Sequence, residues 1–75
     1  MKKYKGIIEC PRWMNFETEL KNYCWASDIH IVVDVDKSLF RKNIRFIVES
    51  EDNKIDQFII DINNVLVELG AEKLS

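Results

Sequence analysis

The stretch SDIHIVVDVDK, residues 27–37, decides the fold because apolar and polar residues alternate along it. Such alternation is typical of a β-strand with one side on a core and the other side away from it. One side of this strand carries an unbroken aliphatic row: Ile29, Ile31, Val33 and Val35. The other side is polar except for one valine: His30, Val32, Asp34 and Asp36. The pattern therefore raises the question of what covers Val32.

Two more stretches alternate in the same way. KKYKGIIEC, residues 2–10, predicts a first strand that ends at Pro11, with Ile7 on the side of Lys5 and Glu9. NIRFIVES, residues 43–50, predicts a third strand, with Phe46 on the core side and Ile47 on the opposite side. The intervening KSLFRK, residues 37–42, predicts a hairpin loop longer than the tight two-residue type.

Apolar residues at helical spacing predict two helices. The first, over about residues 15–26, follows Asn15 as N-cap and carries one apolar stripe: Phe16, Leu20, Tyr23 and Cys24. The second has Ser50 or Asp52 as its cap and Gly70 as its stop. Its stripe covers four turns: Ile55, Phe58, Ile59, Ile62, Val65, Leu66 and Leu69.

The order β-α-β-β-α predicts a two-layer α+β sandwich formed by a single domain, residues 1–75. A right-handed crossover makes the second strand parallel to the first and leaves room for the third strand between them. This is the split βαβ, or ferredoxin-like, arrangement with its fourth strand missing or very short. AEKLS, residues 71–75, offers at most a stub of that strand.

One antiparallel register satisfies both sides of the second and third strands, because opposed residues share a face. Its core-side pairs are Val35 with Ile44, Val33 with Phe46, and Ile31 with Val48. Its pairs on the other side are Asp34 with Arg45, Val32 with Ile47, and His30 with Glu49. We therefore predict that opposite charges meet and that the two isolated aliphatics meet.

Composition bounds the function. The 75 residues carry a net charge of −2, which argues against a broad nucleic-acid-binding surface. Cys10 and Cys24 are the only cysteines and lack metal-ligand spacing, so we expect both to be reduced and buried. No apolar run is long enough to span a bilayer, and we expect a cytoplasmic protein without membrane association.

The side of the sheet away from the helices is the first candidate surface for a partner. We predict that Ile7, Val32 and Ile47 lie side by side there, within a charged rim. The rim residues are Lys5, Glu9, His30, Asp34, Arg45 and Glu49. The alternatives are an ordinary surface, a homodimer through this face or through the free edge of the first strand, and a different protein partner.

The second candidate is a basic pole made of Arg12, Trp13, Lys37, Phe40, Arg41 and Lys42. Basic residues interleaved with aromatics can hold a nucleic-acid strand or an acidic protein surface. Alternatively, Leu39 and Phe40 fold down and close the end of the core. An RNA-binding sheet is disfavoured because the register turns Phe46 inward.

Off the main stripe of the second helix, Ile60 and Val67 either widen the buried face or mark a second contact surface, and Trp25 is expected to be partly buried. His30 and Asp34 lie roughly 13 Å apart along a strand, too far to share a metal ion. We expect no catalytic residues, cofactor or metal. The sequence favours a small regulatory or inhibitory protein that binds protein as a homodimer; alternatives are nucleic-acid binding by the basic pole and small-molecule sensing.

Overall fold

The computed structural model describes residues 1–74 and has the order β-α-β-β-α. Its elements are β1 (Lys2–Pro11), α1 (Phe16–Ala26), β2 (His30–Lys37), β3 (Arg41–Ser50) and α2 (Asp52–Glu68). The strands form one sheet in the order β1-β3-β2, and both pairings are antiparallel. The two helices pack on one side of this sheet, as in a two-layer α+β sandwich.

The predicted register of β2 on β3 is confirmed at all six pairs. Val33 lies opposite Phe46 on the core side, and Val32 lies opposite Ile47 on the other side. A slip of one residue would move the core-side aliphatics of β2, Ile31, Val33 and Val35, to the solvent, which explains why the pattern fixed this register.

Aromatic and aliphatic side chains from all five elements form one core. Phe46 of β3 meets Phe58 of α2 edge to face, with ring centroids 5.7 Å apart. Gly6 of β1 lies against the same ring, and a Cβ atom built at Gly6 would lie 2.5 Å from the Cζ atom of Phe46. The absence of a side chain at residue 6 therefore gives the Phe46 ring its place in the core.

The N-cap of α1 is the predicted residue, whereas the N-cap of α2 is not. Asn15 occupies the N-cap position of α1, but its side chain makes no capping hydrogen bond. The N-cap of α2 is Glu51, so the prediction of Ser50 or Asp52 was wrong. Ser50 is on the core side of β3, where its Oγ donates to the carbonyl oxygen of Asp28 at 3.4 Å. Burial of this hydroxyl removes it from the helix start.

The end of α2 follows the prediction. Gly70 has a φ of +74°, in the left-handed region that glycine adopts without strain. The N–H of Ala71 donates to the carbonyl of Leu66 at 2.9 Å, and the N–H of Gly70 donates to that of Val67 at 3.1 Å. These two bonds form a Schellman motif, which satisfies carbonyl groups that the helix end would leave unpaired.

Residues 71–74 form no strand and instead pack beside α2. The N–H of Leu74 donates to Oδ1 of Asn63 at 2.6 Å, and the Leu74 side chain joins the core. Ser75, the last residue of the predicted strand stub, lies outside the described residues. Within residues 1–74, no helix is both long and apolar enough to cross a bilayer.

Candidate protein-binding surface

The sheet side away from the helices, here called the open face, carries the alternate residues of all three strands. Its three aliphatic side chains are solvent-exposed: Ile7 at 64%, Val32 at 56% and Ile47 at 37%. Nothing in residues 1–74 covers Val32, because both helices use the other side of the sheet. The open face is therefore a surface with an apolar centre.

The three aliphatics are staggered and do not form one row across the strands, which corrects the prediction. Ile47 lies between Lys5 on β1 and Val32 on β2, whereas Ile7 lies opposite Arg45. The error came from the register of β1 on β3, because a shift of two residues keeps every side chain on its face. The apolar centre is consequently smaller than predicted and is interrupted by Arg45.

Most charges on the open face are paired with one another. The Nη2 atom of Arg45 lies 2.7 Å from a carboxylate oxygen of Asp34, as predicted, and 2.7 Å from one of Asp36. The Nε atom of Arg41 lies 2.7 Å from Oε1 of Glu9. The face as a whole carries four cations and four anions: Lys3, Lys5, Arg41, Arg45, Glu9, Asp34, Asp36 and Glu49. It therefore has no net charge when His30 is neutral.

The open face continues around the edge of β1 into a shallow cleft of about 680 Å³. Lys5 and Ile7 line the cleft on the strand side, and Glu72 and Lys73 line it on the side of the C-terminal segment. No backbone hydrogen bond joins residues 71–74 to β1. The free edge of β1 thus borders this cleft without being closed by a fourth strand within the described residues.

The predicted basic pole is largely neutralised. Lys42 is on the core row of β3, and its side chain is only 1% exposed. Its Nζ atom lies 2.7 Å from Oε1 of Glu17 in α1. Arg41 points to the opposite face, where it pairs with Glu9. β2 ends at Lys37 and β3 begins at Arg41, with a three-residue turn between them. Because side chains alternate along β3, Arg41 and Lys42, which were predicted to act together, lie on opposite faces of the sheet.

Trp13 and Phe40 of that pole, together with the neighbouring Leu39, form an exposed group, here called the apolar tip. Trp13 is 80% exposed, and Leu39 and Phe40 are each 74% exposed. The alternative that Leu39 and Phe40 close the end of the core is therefore wrong. The turn is closed instead by Ser38, whose N–H donates to the carbonyl of Arg41 at 2.8 Å. The N–H of Arg12 donates to the carbonyl of Phe40 at 3.1 Å, which brings Trp13 to the hairpin.

A hydrogen bond between the helices was not predicted from the sequence. The Tyr23 hydroxyl donates to Oδ2 of Asp61 at 2.5 Å. Burial, together with this bond, raises the pKa of Tyr23 to about 12, and the bond lowers the pKa of Asp61. The two residues are 38 positions apart and belong to different helices, so no sequence spacing could indicate the pair.

The two cysteines are free and buried, as predicted. Burial raises the pKa of the Cys24 thiol to about 11, so the thiol is protonated and a poor nucleophile at neutral pH. Burial also raises the pKa of the Cys10 thiol. Both residues act as small apolar groups in the core.

Ile60, Val67 and Trp25 all lie at the surface. The alternative that Ile60 and Val67 widen the buried face of α2 is wrong, because both are half exposed. Trp25 is 87% exposed, which contradicts the expected partial burial. These residues occupy the helical layer, away from the open face.

No three His, Cys, Asp or Glu side chains within residues 1–74 gather closely enough to hold a metal ion. The open face offers exposed aliphatic side chains and paired charges. The open face brings together all six predicted partner-binding residues: Ile7, His30, Val32, Asp34, Arg45 and Ile47.

Comparison with protein-family models, curated proteins and solved structures finds no match to this chain.

Proposed function

We propose that this chain is a small non-catalytic protein that regulates or inhibits by protein–protein binding, and that its open face also joins two copies in a homodimer. One observation carries the proposal: Ile7, Val32 and Ile47 are exposed at the centre of a sheet face that is rimmed by charges. An apolar centre with a charged rim is the usual anatomy of a protein interface.

The charge balance of the open face supports a second copy of the chain as occupant. A neutral face with both signs of charge can meet its own copy without net repulsion, because cations of one copy can lie opposite anions of the other. The same balance gives no long-range attraction for a nucleic-acid backbone. Self-association is therefore favoured over nucleic-acid binding at this surface.

The dimer is expected to be weak. Three strands at ~4.8 Å spacing and ~30 Å length give a flat area of roughly 450 Å². Stable interfaces usually remove about 800 Å² of accessible surface from each partner. A face of this size gives a dimer that is populated only at high protein concentration, unless a different protein completes the contact.

The finer fold assignment is also a proposal. We infer the split βαβ arrangement of ferredoxin-like domains, supported by the strand order β1-β3-β2 and by the position of α1 between β1 and β2 in the chain. The two unpaired thiols support a reducing compartment such as the cytoplasm. Neither proposal assigns a partner by itself.

Sedimentation velocity over a concentration series tests the homodimer. We expect the parent to dimerise at high concentration and Val32→Glu to remain monomeric, because the two-fold axis doubles the introduced charge in the apolar centre. Val67→Glu is the matched control, since Val67 is 52% exposed, close to the 56% of Val32, but lies on α2. It should dimerise like the parent.

Two results would contradict the homodimer. A parent that stays monomeric at the highest accessible concentration removes self-association. A Val32→Glu variant that dimerises as well as Val67→Glu does removes the open face as its interface. Thermal unfolding of both variants checks that any loss of dimer is not a loss of folding.

A further inference from the structure

The apolar tip consists of three highly exposed apolar side chains on two segments of the chain. Trp13 lies in the segment between β1 and α1, whereas Leu39 and Phe40 lie in the turn between β2 and β3. The hydrogen bond from Arg12 to Phe40 holds the two segments together. Three large apolar side chains with so much exposure are unusual on a small protein and indicate a contact surface.

The tip projects from one end of an elongated molecule. The extents are 37 × 22 × 20 Å, and a ten-residue strand accounts for about 33 Å of the longest dimension. Pro11, the last residue of β1, pairs with Arg41, the first of β3, so both segments leave the sheet at the same end. A projecting apolar group can insert into a deformable surface that has no complementary pocket.

Two unpaired cations flank the tip. The acidic residues of this end already have partners: Glu9 pairs with Arg41, Asp36 with Arg45, and Glu17 with Lys42. Arg12 and Lys37, which adjoin the tip, form no ion pair within residues 1–74. The chain is acidic overall, but this end presents two exposed cations outside ion pairs, of which Lys37 lies near enough to Glu17 to help lower the pKa of that carboxyl.

We propose that the apolar tip inserts into the headgroup region of an anionic lipid bilayer, with Arg12 and Lys37 at the lipid phosphates. Tryptophan favours this region because its ring is largely apolar and its N–H is polar. Basic residues are drawn to the negative surface of such a bilayer. The inference goes beyond the proposed function and departs from the expected lack of membrane association, which considered only spanning segments.

The same features disfavour nucleic acid at this end. Leu39 has no planar face on which a base can stack, and stacking is the main sequence-independent contact with single strands. Lys42 is buried against Glu17, and Arg41 is occupied by Glu9. Only Arg12 and Lys37 remain outside ion pairs at this end, fewer than the several phosphate contacts that strong backbone binding requires.

The two tryptophans provide a matched pair of reporters for the test. Trp25→Phe leaves Trp13 at the tip, whereas Trp13→Phe leaves Trp25 at the end of α1 that precedes β2. Each variant is mixed with vesicles of phosphatidylcholine alone or with about 30% phosphatidylserine. With the anionic vesicles, Trp13 emission should shift to shorter wavelength and be quenched by brominated lipid. Trp25 emission should not change.

Further variants assign the contact to named side chains. Leu39→Ser with Phe40→Ser should lower the partition coefficient at least ~10-fold, because two large apolar side chains are lost from the bilayer contact. Arg12→Gln and Lys37→Gln should each lower it about 5-fold on anionic vesicles, with little effect on phosphatidylcholine alone. All these residues are exposed, so the variants should fold.

Four results would overturn the inference. Vesicles that leave Trp13 emission unchanged exclude insertion. An equal response of Trp25 indicates general adsorption or unfolding on the lipid. A gel shift with a single-stranded oligonucleotide that the tip variants abolish assigns the tip to nucleic acid. Loss of the homodimer in the Leu39→Ser, Phe40→Ser variant assigns the tip to self-association. The effect of Val32→Glu on the homodimer tests the open face and does not bear on the tip.

Discussion

The open face differs from the hairpin end, which is the turn between β2 and β3 with the residues beside it. The sequence predicted the exposure of side chains well on the open face and poorly at the hairpin end. On the open face, every residue predicted to point away from the core does so, from Ile7 on β1 to Val32 on β2. At the hairpin end, Leu39 and Phe40 are exposed and Lys42 is buried, against expectation. Side chains of a strand alternate with a period of two, so one assigned residue fixes its neighbours, whereas a turn has no such period.

Lys42 shows how the contrast arises. It was assigned to the loop, where a lysine is expected to be solvated. In the structure β3 begins at Arg41, so Lys42 falls on the same row as Ile44 and Phe46. The lysine is tolerated there because Glu17 of α1 lies within 2.7 Å of its ammonium group. A strand that starts two residues earlier than predicted changes the face of a charge.

The largest expected effect at the hairpin end comes from breaking the ion pair between Lys42 and Glu17. Glu17→Gln leaves a buried ammonium group without a counter-charge, and we expect the free energy of unfolding to fall by about 2–4 kcal/mol. Chemical denaturation measures the loss. The double variant Lys42→Met, Glu17→Leu should regain most of it, because an apolar pair needs no counter-charge. A single variant as stable as the parent would contradict the burial of Lys42.

Acid titration of the same variants provides an independent check. Burial tends to raise the pKa of Glu17, but the hydrogen bond and charge of Lys42 outweigh it, so the pKa is lowered. The ionised carboxylate therefore stabilises the fold above its unfolded pKa of about 4.3, and this contribution is lost as pH falls through the lower folded pKa. The parent should lose more stability than Glu17→Gln does between about pH 5 and pH 3.

A smaller effect is expected on the core side of β1, beneath the open face. Gly6→Ala places a Cβ atom against the Phe46 ring, which is fixed by its contact with Phe58. We expect the free energy of unfolding to fall by about 1–3 kcal/mol, as for other overpacked cores. Gly70→Ala should lose about 1 kcal/mol for its left-handed φ alone, since its Cβ meets no atom within 4 Å. Gly6→Ala at parental stability would contradict the predicted clash.

The smallest effect is expected at the apolar tip. Phe40→Ser should change the free energy of unfolding by no more than about 0.5 kcal/mol, because the ring is largely exposed already. Phe58→Ser, in the core, should lose at least about 3 kcal/mol and serves as the comparison. Thermal melts of the two variants rank them. If Phe40→Ser lowered the free energy of unfolding nearly as much as Phe58→Ser, Phe40 would have to close the end of the core after all.

Much of the fold could be predicted because its elements carry strong periodic patterns. The five elements, the β2–β3 register and the role of Gly70 all follow from alternation, helical spacing or backbone preference. The β1–β3 register did not follow, because a shift of two residues preserves the pattern and misplaced Ile7 relative to Ile47. Ser50 was taken for a helix cap because its sequence position suits one, but its hydroxyl is turned toward Asp28.

The sequence by itself determined which side of each strand faces the helices, since hydrophobic burial acts on every alternate residue and leaves one consistent arrangement. Only the tertiary structure decided the partners across long separations: Lys42 with Glu17, Tyr23 with Asp61, and Arg12 with Phe40. These contacts depend on how the helices and turns approach the sheet in space. That approach is set by the packing of whole elements and has no period that a local stretch of sequence can display.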